Sequence, residues 1–155
     1  MEQESAKSIS FFRFEDLRIY HKALDYIDWV CTTTGLLPES AGKGQSVKFV
    51  STAHAIAFYI AEGSSRNKNQ FIYYLKLAKS AIRECVVMTS VFEKQGLFSQ
   101  ESVDTSREQL VEMTKMIGAL IGSLQKPSHK TSIKSADPET EDELAHVEPI
   151  SERRY

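Results

Sequence analysis

Apolar positions recur at helical spacing along four stretches of the chain. In the first, from Glu15 to about Thr34, Leu17, Tyr20, Leu24, Ile27 and Cys31 share one face at ~100° per residue. Ala23 and Val30 lie at the margin of that face, and Asp16, Arg18, His21, Lys22, Asp25 and Asp28 fill the other. Gly35 stops the helix and Pro38 fixes the turn. The second stretch runs from about Gln45 to Glu62, with Val50, Ala53, Ala57 and Ile60 on its main face and Phe49 and Ile56 beside them. The third runs from Lys68 to Lys94 and is closed by Gly96. Its sector of Phe71, Leu75, Ala78, Ile82, Cys85, Met88 and Phe92 is wide enough for a central helix or an oligomer interface. The fourth begins at a serine cap, Ser99 or Ser102. It carries Val103, Leu110, Met113, Ile117 and Leu124 to about Gln125.

This pattern predicts an all-α fold, an antiparallel up-down-up-down four-helix bundle over residues 14–125, because short connections favour antiparallel neighbours. Residues 1–13 read as a flexible arm ending in Phe11 and Phe12. Trp29 falls on the polar side of the first helix, either as an interface anchor or packed beneath that arm. Beyond Pro127 the composition turns to Ser, Thr, Lys, Pro, Asp and Glu without a periodic apolar face. Residues 126–155 therefore read as a disordered, charged tail that cannot offset its ordering entropy. Its piece around Leu144 can become helical against a partner. Opposite charge suggests that Glu139–Glu143 folds back on the third helix as a competitor for phosphate.

A net charge of −2 gives no global field toward nucleic acid or anionic membrane. Lys/Arg and Asp/Glu balance within residues 14–125, so any charged patch must come from segregation. Such segregation occurs on the third helix, where Lys68, Lys76, Lys79 and Arg83 fall within ~80° of arc, with Arg66 just upstream. Clustered cations release counterions from a phosphate backbone, so these five residues are the candidate nucleic-acid contacts. A solvated face with local ion pairs is the alternative. Cys31 and Cys85 both fall inside helix patterns and read as buried thiols in a reducing compartment. A disulfide needs the two helices to bring them face to face. No apolar run has the length of a signal peptide or a membrane span, so the expected location is cytoplasmic.

The densest motif is the corner Ala55-Ile56-Ala57-Phe58-Tyr59-Ile60-Ala61-Glu62-Gly63, followed by Ala78-Lys79-Ser80-Ala81-Ile82-Arg83-Glu84. Gly63 is expected to take the positive φ of a helix C′ position, with Ser65 or Asn67 capping the next helix. These residues resemble the signature of the four-helix-bundle family of 23S rRNA-intervening sequence proteins. Phe14-x-x-Leu17-x-x-Tyr20 and the Leu37-Pro38 turn resemble it too, and together the likeness covers about Phe14 to Gln125. It implies a ring-forming homo-oligomer, with a pentamer as the best single stoichiometry. It also implies an accessory role like that of related bundles which work with a reverse transcriptase in retroelements. Departures fall near the two glutamates: Ala55 and Ala81 stand where the motif has serines, Tyr59 where it has asparagine, and Ser51 where a basic residue is common.

Glu62 and Glu84 invite a reading as a metal or acid–base pair. A di-iron bundle needs Glu-x-x-His on two helices, which His21 and His54 do not supply. The favoured reading is structural, as buried and satisfied carboxylates, with Glu62 reaching Arg66 or the turn's amides. His54 reads as a packed or interface residue. No histidine follows Arg66 or Arg83 at the spacing of small helical nucleases. There is no glycine-rich phosphate loop and no paired nucleophile. The expectation is a non-catalytic protein without cofactor or metal that binds structured RNA or another nucleic acid. A protein–protein scaffold is the competing reading.

Overall fold

The computed structural model describes residues 11–127. After a 3-10 turn at Arg13–Asp16, the helices are α1 (Arg18–Gly35), α2 (Lys43–Ser64), α3 (Lys68–Lys94) and α4 (Gln100–Gln125), with no β-strand among the described residues. Each helix packs on its sequence neighbour and α4 closes on α1, while the diagonal pairs do not approach at the level of the backbone. Short connections with this adjacency give the expected all-α, four-helix architecture. The expectations for residues 1–10 and for the tail after 127 lie outside the described residues.

Local chemistry explains the boundaries. Asn67 caps α3 by accepting the Gln70 amide at 2.9 Å, and Ser99 caps α4 by accepting that of Ser102 at 3.1 Å. At the far end of α3, Gly96 takes φ 69°. The Leu97 amide then donates to the Phe92 carbonyl at 2.9 Å and the Gly96 amide to Glu93 at 3.0 Å, which is the Schellman pattern that satisfies the last carbonyls.

The core contains Phe49, Ala53, Ile56 and Ile60 of α2, Leu75, Ala78, Ile82 and Phe92 of α3, and Leu110, Met113 and Ile117 of α4. These agree with the faces read from the sequence. On α1 the reading needs correction. The buried face is Ile19, Ala23, Tyr26, Ile27, Val30 and Thr34, rotated by ~80° from the expected stripe. Leu24 is 40% exposed, and Cys31 is exposed rather than buried. The small Ala23 and Val30, expected at the margin, are what α1 turns inward. Cys85 is buried, and both thiols are free.

Trp29 is half-buried. Its ring stacks on Tyr26 at 5.9 Å and meets Phe98 edge-on at 5.8 Å. It therefore belongs to the aromatic end of the core with Phe49, Phe92 and Phe98, not to a site beneath Phe11 and Phe12, which are exposed. Three hydroxyls lie inside the apolar core. Ser106 Oγ is 2.9 Å from Tyr26 Oη and 2.7 Å from Thr89 Oγ1, and Thr89 donates to the Cys85 carbonyl at 2.8 Å. Burial raises both the Tyr26 phenol and the Cys85 thiol, the latter to about 12.

Candidate nucleic-acid interface

The corner between α2 and α3 is built by close approach. Gly63 lies inside α2, buried, and its φ is not positive, which corrects the expected left-handed cap. A Cβ on Gly63 would sit 2.5 Å from Tyr74 Cβ and 3.0 Å from a Phe71 ring carbon. Glycine is there because α3 presses against α2, and α2 continues one residue further to Ser64.

Glu62 and Glu84 are both exposed, so neither is the buried carboxylate expected from its apolar sequence neighbours. A helix turns ~100° per residue, so residues beside core positions can face solvent. Glu62 does reach Arg66: its Oε1 accepts from Arg66 Nη2 at 2.6 Å and from Nε at 3.2 Å. The Arg66 guanidinium also lies 5.5 Å from the Tyr74 ring centroid. The hydrogen bond that Arg66 donates to Glu62 is the main cause that raises the Arg66 pKa. Arg66 thus sits off the α3 stripe with its charge already partnered.

The remaining four cations line α3. Lys68, Lys76 and Arg83 are exposed and Lys79 is half-buried. From Lys68 to Arg83 is fifteen helical steps, ~22 Å at 1.5 Å per residue. None of the four forms an ion pair among the described residues, where the two bridges are Lys22–Glu112 and Arg66–Glu62. Arg83 makes a long contact of 3.4 Å to Ser80 Oγ. Such a row can meet successive phosphates without first breaking internal bridges.

Two cations escaped the sequence reading. Arg107 and Lys115 of α4 line one groove with Arg83. The available signal was Arg107-x-x-x-Val111-x-x-x-Lys115, a stripe at i, i+4, i+8. It was obscured by Glu108 and Glu112 alongside.

The other candidate features carry no chemistry of this kind. His54 Nδ1 contacts the Val50 carbonyl at 2.7 Å, back-bonding to its own helix. A cavity of about 530 Å³ between the end of α1 and the start of α2 is mostly apolar, with Leu37, Pro38, Val47 and Val50 among its walls. Among the described residues no group of three or more His, Cys, Asp or Glu could hold a metal ion. No described helix is long and apolar enough to cross a membrane.

Comparison with known proteins places the fold. A search of curated proteins finds no significant match. The family described as 23S rRNA-intervening sequence protein matches residues 15–119, from within the first 3-10 turn to near the end of α4. The helices, the corner at Glu62-Gly63 and this match agree, and the chain belongs to the 23S rRNA-intervening sequence protein family.

Proposed function

We propose that the chain is a non-catalytic, homo-oligomeric accessory protein that binds structured RNA or another nucleic acid through the basic face of α3. The observation that supports this reading is the row Lys68, Lys76, Lys79 and Arg83, without ion pairs among the described residues. In a ring the row is repeated by symmetry, which raises the local field well above that of one chain. A pentamer is the proposed assembly and the cytoplasm the proposed location. A reverse-transcriptase-type enzyme is the proposed class of protein partner.

The test is a gel-shift series with structured RNA at increasing salt. Each phosphate neutralised on duplex contributes a slope of about −0.9 in log K against log salt. The triple change Lys76→Glu, Lys79→Glu and Arg83→Glu should abolish retention while leaving the helical circular dichroism unchanged. Equal retention by the triple variant would overturn the reading.

The scaffold alternative has its own support. Val47 and Phe58 are 65% and 66% exposed and fall within ~20° of each other on the outer face of α2. An apolar patch on this face would serve as a contact surface. Light scattering distinguishes assembly from its absence: a monomer mass at micromolar concentration would remove the oligomer from both readings. RNA retention decides between them.

A further inference from the structure

The groove between α3 and α4, about 240 Å³, has an apolar floor that includes Val86, Leu110 and Val111. Its polar rim is cationic, with Arg83, Arg107 and Lys115, and no carboxylate lines it. None of the three cations forms an ion pair among the described residues. The neighbouring surface beyond Val111 does carry Glu108 and Glu112, but Glu112 already pairs with Lys22 at 3.2 Å. Val111 is 51% exposed, so the floor is open to a further apolar side chain.

We propose that the occupant of this groove is the chain's own C-terminal segment, with Leu144 on the apolar floor and the carboxylates of Glu139, Glu141, Asp142 and Glu143 at the three cations. The sequence supplies the complement: four acidic residues just before one leucine, with Val147 and Ile150 at i+3 and i+6 from it. The reach suffices. α4 ends at Gln125, and Lys115 lies ten helical steps back from that end, ~15 Å. From Gln125 to Leu144 the chain can span up to ~60 Å at ~3.3 Å per residue. Pro127 does not continue α4, and a return along α4 to the groove lies within that reach. The acidic segment thus meets the α3–α4 groove, which sets three cations around an apolar floor. The two surfaces share Arg83. Docking therefore competes with nucleic acid for that cation, a consequence that rests on the proposed function, whereas docking itself does not.

Zero-length carbodiimide cross-linking of the full chain, read by peptide mass mapping, tests the proposal without RNA. Lys115 is the lysine of the groove, so the expected product joins Lys115 to residues 139–143. An equal mixture of ¹⁴N- and ¹⁵N-labelled chains should give this product within single chains. Its yield should fall several-fold in about 1 M salt, where the Debye length is ~3 Å. It should fall likewise in Val111→Asp and in Leu144→Ser, both of which should fold normally by circular dichroism. Absence of the Lys115 product would overturn the proposal. So would products chiefly at Lys76 and Lys79, a product formed only between differently labelled chains, or a yield indifferent to both variants.

Discussion

The two corners that bracket α3 look alike in sequence and differ in physics. Each has a glycine shortly before a polar helix cap: Gly63 before Asn67, and Gly96 before Ser99. At Gly96 the requirement is local, since φ 69° is a conformation in which a Cβ meets the following carbonyl. At Gly63 the backbone is ordinary helix, and the requirement comes from Tyr74 on the next helix. At both of these glycines a Cβ is unwelcome, and only the structure says whether the chain itself or a neighbour objects. The first corner is consequently a helix–helix contact as well as a turn, while the second is a turn that a modest strain can survive.

The largest expected effect belongs to neither corner and sets the scale for both. Two-thirds of the way along α3, burial raises the Cys85 thiol to about 12, against 9.0 ordinarily, and raises the Tyr26 phenol of α1 in the same direction. The unfolded chain ionises these groups first, so it binds fewer protons than the folded one above pH ~9. Their contribution is fully present below that pH and is lost as pH rises toward 12. Denaturation midpoints should fall more steeply over this window in the wild type than in Tyr26→Phe with Cys85→Ala; parallel profiles would place these groups in contact with water.

Gly63→Ala should cost about 2–3 kcal/mol in chemical denaturation, the upper part of the range for overpacking. Tyr74 Cβ is fixed to its backbone and cannot swing aside, so the helices themselves must part. Gly96→Ala should cost about 1–2 kcal/mol from positive φ alone, and Gly96→Asn less, because asparagine tolerates the left-handed region. If Gly96→Ala proved worse than Gly63→Ala, the contrast between the corners would be inverted and the close approach of α2 and α3 refuted. Asn67→Ala and Ser99→Ala should each cost about 1 kcal/mol, and by similar amounts, since both caps hold one amide at comparable distance. Glu62→Gln should have the smallest effect, within the scatter of repeated melts, because both partners of the pair are exposed and screened.

Most of the fold was legible because it rests on periodicity. α3 spans the same residues that its pattern gave, and Ser99 caps α4 as its residue type suggested. The face of α1 was not legible. Leu24 and Cys31 are more hydrophobic than Ala23, but the bundle needs a small residue where helices close, and Tyr26 is buried because Ser106, eighty residues away, receives its hydroxyl. Neither fact has a local signal. The same holds for Glu62 and Glu84, whose apolar neighbours in sequence are not their neighbours in space. The α3 stripe was visible, since one helix carries it. The groove shared with Arg107 and Lys115 was not, because it exists only once α4 lies beside α3.

The three core hydroxyls have a consequence in the direction of their protons. Thr89 commits its single proton to the Cys85 carbonyl. In the contact with Ser106 it can therefore only accept, and Ser106 must donate to it. With its own proton placed, Ser106 can only accept from Tyr26. The order is thus a one-way relay from α1 through α4 to α3, each hydroxyl giving once and receiving from the one before, with Tyr26 at its head. Removing the head leaves one oxygen with a vacant lone pair, whereas removing Ser106 strands a donor on one side and an acceptor on the other. A bundle held by oily contacts alone could let a helix rotate a little at small cost. Here, rotation of α1 breaks the head of the sequence and rotation of α4 breaks both of its links, so these hydroxyls act as a key that admits one mutual orientation of three helices.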